Sequence, residues 1–188
     1  MLTLVALWRG INVGKAKRIA MAELRALLED LGYADVRTVL NSGNAVLRCA
    51  SGCDPSCRSD GGSEDLASAA GRMRGAVLER LGVDARVQLV NGRAFREAVE
   101  RNPKPELAEA DPSRFLVHFL SERPGADVVE LAAEDWGEEF VALVGSVVYV
   151  HSPGGVLKSR AGKALARALG DGVTARNWKT VLRIRELF

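Results

Sequence analysis

Two short hairpins, each set between helical segments, constrain this chain more than any other feature. Val36 to Leu40 and Ala45 to Leu47 are expected strands joined by Asn41-Ser42-Gly43-Asn44, residue types that accept the backbone of a tight reversal. Before them, Leu2 to Trp8 reads as a buried strand. Met21, Leu24, Leu27, Leu28 and Leu31 then follow helical spacing, and Gly32 sits where a C-cap belongs. After the hairpin, Ser63 is expected to open a helix running to Leu81, stopped at Gly82, and Ala85 to Val90 to form a strand. The order β-α-β-β-α-β is that of a ferredoxin-like unit.

The same order returns after a connecting helix, Ala94 to Glu100, that Asn102-Pro103 stops. Arg114 to Leu120 is an expected strand and Ala126 to Ala133 a short helix. Phe140 to Val144 and Val147 to Val150 make a hairpin across Gly145-Ser146. Lys163 to Leu169 is a helix closed by Gly170, Val173 to Arg176 a last strand, and a final helix begins at Asn177. The expected fold is therefore α+β, with two ferredoxin-like lobes, antiparallel sheets and a C-terminal helix. Residues 1–91 make the first lobe, with 49–63 as a turn-rich, mobile insertion; 92–112 connect, and 113–188 form the second lobe.

Length and composition agree with a globular chain. At 188 residues, with 47% apolar and 27% charged residues, it has material for a core without disulfides or metal. No apolar run approaches the roughly 20 residues of a membrane span, so no membrane role is expected. The start MLTLVALWRG lacks the basic region and cleavage site of a signal peptide, which makes the cytoplasm the expected location. The net charge of +2 is unevenly spread. Arg9, Lys15, Lys17 and Arg18 face no acid in residues 1–20. Lys158, Arg160, Lys163, Arg167, Arg176, Lys179, Arg183 and Arg185 are set against Asp171 alone in residues 151–185. Such segments favour an anionic partner, or are simply solvated helix faces.

Topology brings two sets of polar residues together. In the first lobe the loop after strand one should approach the first hairpin, gathering Arg9, Asn12, Lys15, Asn41, Ser42 and Asn44. Arg offers a planar fork of donors for phosphate or carboxylate, and Asn and Ser add orienting hydrogen bonds. The alternative is that Asn41-Ser42-Gly43 is only a turn, braced by Arg9 and Asn12. In the second lobe the segment His151 to Arg160 should share an end with Arg176-Asn177-Trp178. There Lys158, Arg160 and Arg176 are candidate anion contacts, Asn177 a polar neighbour and Trp178 a stacking face for a base. A helix start near Ser159 would also attract an anion. Against this, Trp178 with Val181, Leu182 and Ile184 could line the inner side of the last helix.

Complete catalytic signatures are missing. Gly10 to Lys15 has three residues between its glycines instead of four, and Ala16 where a P-loop needs Ser or Thr. Cys49, Cys53 and Cys57 are evenly spaced but lack a fourth ligand, so free thiols are expected rather than a metal or cluster site. His118 lies within an apolar strand and reads as structural. His151 beside Ser152-Pro153-Gly154-Gly155 is the better acid–base candidate, with no readable triad around it. No cofactor is expected.

Ala6-Leu7-Trp8-Arg9-Gly10-Ile11-Asn12-Val13-Gly14 followed by Met21-Ala22-Glu23-Leu24 resembles the opening of a bacterial family catalogued as domain of unknown function 1697. Val36-Arg37-Thr38 with Asn41-Ser42-Gly43-Asn44 is similar to its second block. Thr174, Arg176-Asn177-Trp178 and Thr180-Val181 are similar to its last. The resemblance implies a ferredoxin-like α+β fold, a cytoplasmic location and no assigned catalytic residue. Trp8 stands where the family usually has Leu, Lys15 where it often has Gly, and Ala175 where Thr is common.

These observations favour a protein that binds a phosphate-bearing ligand, either a nucleotide or a nucleic acid backbone. Aromatics at 5%, with no aromatic pair on strands one and three, argue against base reading on a sheet. Two alternatives stand beside it. One is an enzyme acting on a small anion between the lobes, with Arg9, Lys158 and Arg176 holding the anion and His151 assisting. The other is a non-catalytic scaffold or homodimer.

Overall fold

The computed structural model describes residues 2–12, 18–49, 63–170 and 173–188. The chain divides into two compact units, Met1–Phe95 with Ile184–Phe188, and Arg96–Arg183.

The first unit holds β1 (Thr3–Trp8), α1 (Met21–Asp30), β2 (Tyr33–Val39), β3 (Asn44–Cys49), α2 (Ser63–Leu81) and β4 (Val87–Asn91). Its antiparallel sheet has the order β2-β3-β1-β4. β1 is the central strand, pairing Ala6 with Ala45 of β3 and with Leu89 of β4. Leu4, Ala6 and Trp8 point into a core shared with Leu24, Leu27 and Leu28 of α1 and Ala69, Met73 and Val77 of α2. Val5 and Leu7, on the opposite face, are also fully buried. A strand covered on both sides has no polar face to show, which is why Leu4 to Trp8 reads as an unbroken apolar run.

The second unit follows α3 (Gly92–Glu100) and α4 (Pro105–Ala110) with β5 (Phe115–Leu120), α5 (Ala126–Ala133), β6 (Phe140–Val144), β7 (Val147–His151), α6 (Arg160–Leu169), β8 (Val173–Asn177) and α7 (Trp178–Arg185). Its order, β6-β7-β5-β8, repeats that of the first. The fold is thus α+β with two ferredoxin-like lobes and a C-terminal helix. Val148 and Val150 pack with Val128 of α5 and Ala161 and Leu165 of α6 on one face. On the other, the Phe115 ring lies 6.3 Å from Tyr149, 6.4 Å from Phe140 and 5.9 Å from Trp178. Tyr149 donates 2.7 Å to the Ala98 carbonyl, and burial pushes its phenol up to about 12.

The two units do not follow the expected boundaries of 91 and 113. α3 straddles the division, and Ile184–Phe188 leave the second lobe for the first. The Phe188 ring stacks on Phe95 at 5.8 Å, and the Leu187 carbonyl accepts from Arg37. A Cβ on Gly92 would fall 2.9 Å from that ring, so only glycine lets it settle there. The expected insertion lies, from residue 50 to 62, outside the described residues.

Candidate functional site

The first cluster forms where β1 leaves the sheet. Trp8 N–H donates to the Gly43 carbonyl at 2.9 Å, which sets the loop after β1 against the β2–β3 hairpin as the topology requires. Asn12 then ties the two together. Its Nδ2 donates to the carbonyls of Asn41 (2.7 Å) and Ile19 (2.9 Å), and its Oδ1 accepts from Ile19 N–H (2.9 Å). Asn12 holds φ at 55°, a left-handed conformation that Asn accepts more readily than most residues. Asn44 is fully buried and donates to the Val39 carbonyl and to Ser42 Oγ.

These contacts correct the ligand reading of Asn12 and Asn44, while Ser42 stays exposed with its Oγ accepting from Asn44. Both Asn12 donors are spent on backbone carbonyls, and the Asn44 amide closes the hairpin it belongs to. The asparagines are braces because the loop and the turn leave carbonyls that no strand satisfies. Asn41 enters through its main chain. Arg9 is half-buried, its N–H held by the Arg86 carbonyl. Lys15 lies outside the described residues.

The second cluster gathers at one end of the other sheet. Phe115 stands opposite His151, and Leu116 opposite Asn177, so the segments after β7 and β8 emerge together beside the start of β5. Trp178 is nonetheless buried, 5% exposed, edge-on to Phe115. It is a core residue and is not available to stack on a base. Asn177 Oδ1 accepts from Thr180 N–H and so caps α7. Arg176 is half-buried and donates to the adjacent Ala175 carbonyl. His151 Nε2 is buried 3.5 Å from Asp111 Oδ2 without a hydrogen bond, and Arg114 reaches from Asp111 (3.6 Å) to the Pro153 carbonyl (2.9 Å).

Among the described residues the start of α6 is the clearest anion site, and Glu139 fills it. Glu139 accepts from Ser159 Oγ (2.7 Å) and from the amides of Arg160 (2.8 Å) and Ala161 (3.1 Å). Ser159 Oγ accepts in turn from Gly162 N–H at 2.8 Å. The expected attraction of this helix start for an anion is met from within. Burial pushes the Glu139 carboxyl up, but the hydrogen bonds from Ser159, Arg160 and Ala161 and the Arg160 charge outweigh it and leave it lowered.

Beyond that first turn α6 is basic and open. Arg160, Lys163 and Arg167 are exposed at i, i+3 and i+7, a spacing that places them along one side of the helix, and Lys158 is exposed just before it. Lys158, Lys163 and Arg167 have no acidic partner among the described residues. In the first unit, by contrast, Arg48, Arg74 and Arg80 pair with Asp35, Asp84 and Asp30. Of the expected basic site residues, Lys158 and Arg160 are exposed, as are Asn41 and Ser42 in the first cluster. Lys163 and Arg167 join them, which helix phase alone would have indicated had the helix been started at Arg160.

Among the described residues no group of three or more His, Cys, Asp and Glu is placed to hold a metal. Cys49 is buried and in no disulfide, while Cys53 and Cys57 lie outside those residues. No described helix is long and apolar enough to cross a membrane.

Comparison with known proteins gives a family and a fold. The family described as Protein of unknown function (DUF1697) matches residues 1–149, which takes in the first two motif blocks and stops before Thr174. A solved structure, that of conserved bacterial protein SP0830 from Streptococcus pneumoniae, is similar over 99% of this chain and 98% of its own. The TM-score is 0.70 and the sequence identity 22%. No curated protein matches the chain.

Proposed function

The chain belongs to the DUF1697 family of proteins of unknown function, and we propose that it binds the phosphate backbone of a nucleic acid strand through the basic side of α6. The observation that carries this reading is the row Arg160, Lys163 and Arg167, exposed on one side of a helix that has no acidic residue. At about 1.5 Å per residue the row spans roughly 10 Å. One strand of a duplex carries about three phosphates over that length. Lys158 extends the row at its start.

Backbone contact fits better than base reading. The central strands that would have to present a stacking surface are closed, with Val5, Leu7, Phe115, Val117 and Phe119 all buried. Trp178 is enclosed as well. What remains accessible is charge, and charge reads phosphate rather than sequence.

The test is anisotropy of a labelled single-stranded oligonucleotide over a salt series, with mononucleotides as competitors. Three or four phosphate contacts give a log–log salt slope of about −2 to −3. The pair Lys163→Glu and Arg167→Glu should weaken binding at least about tenfold and flatten that slope by more than one. Binding that ignores both salt and the double reversal would remove α6 from the account. Full competition by a mononucleotide would move the reading to a pocket.

A further inference from the structure

The four outer strands of the two sheets are not defended alike. β2 carries Asp35 and Arg37, is interrupted by a bulge between Ala34 and Arg37, and holds Asp35 at φ 50°. β4 carries Gln88 and Asn91, and β8 carries Thr174, Arg176 and Asn177. Charge, irregularity and polar side chains are the ordinary means of stopping an edge from recruiting another strand. β6 has none of them. It is Phe140-Val141-Ala142-Leu143-Val144, half-buried throughout, in unbroken register with β7. Among the described residues nothing bonds to its outer side.

The direction of its free groups follows from the turn. Gly145 and Ser146 form a two-residue hairpin with Gly145 at φ 60°, and Val144 and Val147 are the closing pair. In such hairpins the closing pair is hydrogen-bonded and bonded pairs alternate. Ala142 and Phe140 therefore bond inward to β7, and Val141 and Leu143 turn N–H and C=O outward.

We propose that β6 is the contact strand of a homodimer, pairing antiparallel with β6 of a second copy about a two-fold axis at Ala142. In that register Val141 exchanges two backbone hydrogen bonds with the partner's Leu143, and Leu143 two with the partner's Val141. Ala142 meets the partner's Ala142 in a non-bonded pair, where strands come closest and a small side chain suits. Charge selects this arrangement. Glu138 and Glu139 precede β6, and Gly145-Ser146 follow it. Antiparallel pairing sets each acidic end beside a neutral turn, whereas parallel pairing would set the exposed Glu138 beside its own copy. The strand is thus its own complement. Half-buried Val141, Leu143, Leu131 and Trp136, which rest on the core at this side of the sheet, gain cover from their symmetry mates.

Sedimentation of the full chain over a wide concentration range, with two variants, tests the proposal. Val141→Pro removes an outward N–H and leaves the β7 ladder intact. Ala142→Cys places two thiols across the axis, within the Cα separation a disulfide accepts. The wild type should be dimeric. Val141→Pro should weaken association at least about tenfold. Ala142→Cys should form a covalent dimer on mild oxidation, while the parent chain, oxidised alongside with its own cysteines, does not. A monomer at every concentration would overturn the proposal and leave the edge to a strand from another protein. A dimer that Ala142→Cys fails to cross-link would overturn it too, whatever Val141→Pro does to the fold.

Discussion

Ser159 Oγ donates to Glu139 at 2.7 Å and accepts from Gly162 N–H at 2.8 Å, so one hydroxyl joins the entry to β6 with the first turn of α6. The residues are twenty apart in sequence, and each satisfies helix donors that would otherwise be orphaned. Glu139→Gln keeps the shape and removes the charge. It should cost about 1–2 kcal/mol at neutral pH, as lost caps do, measured by urea denaturation. The sign of the pH effect follows from the lowered carboxyl. The unfolded chain takes a proton near the ordinary value of 4.5 and the folded chain only below it. This stabilisation is complete above 4.5 and is lost as pH falls through the folded value. Glu139→Gln should flatten the slope of stability against pH in that acid window and add no slope above it.

His118 acts at a different pH. Burial pushes its imidazole down to about 4 from an ordinary 6.5, and its Nε2 has no hydrogen-bond partner. Between those values the unfolded chain binds a proton that the folded chain refuses, so stability falls as pH drops from 6.5 toward 4. The full effect is on the order of 3 kcal/mol. His118→Leu removes the titration and should hold stability level over that range. An unchanged slope would show that another group dominates.

Gly43 and Gly10 separate two kinds of backbone demand. Both hold positive φ, 77° and 67°. A Cβ on Gly43 would lie 2.5 Å from Ile11 Cδ1 and 2.8 Å from Trp8 Cβ, whereas one on Gly10 meets nothing within 4 Å. Gly10→Ala should cost about 1–2 kcal/mol, for conformation alone. Gly43→Ala adds overpacking of about 1–3 kcal/mol. Equal melting temperatures for the two variants would refute the tight approach of hairpin and loop.

Asn12→Ala tests the brace. It leaves two carbonyls and one amide without partners and should cost about 2–3 kcal/mol, at roughly 1 kcal/mol for each bond. The oligonucleotide affinity of the folded variant should stay at the wild-type value, because α6 is untouched. A stable variant that has lost binding would restore Asn12 to the ligand site.

Much of the architecture was legible because local signals agreed. Ser63–Leu81, Ala126–Ala133 and Phe140–Val144 lie where periodicity and turn residues put them. The start of α6 was legible in one of two ways. Periodicity alone puts it at Lys163, whereas the helix start expected near Ser159 is the one observed: Ser159 is the N-cap, and Glu139 bonds the first amides from another part of the chain. The later start hid the alignment of Arg160 with Lys163 and Arg167. Short α4, Pro105–Ala110, has too few turns for a periodic signal. Asn12 carried the same difficulty. Its residue type suits a ligand or a brace, and only the Asn41 carbonyl, 29 residues on, decides between them.

The docking of Ile184–Phe188 on the first unit has a consequence for synthesis. Residues 2–95 emerge from the ribosome early, yet Phe95 and Gly92 wait for Phe188 until the whole second unit has been made. Domains that fold in order of translation are ordinarily finished in that order. Of the two units the first to begin is the last to be completed, and a nascent chain paused before Ile184 leaves Phe95 without the ring that stacks on it.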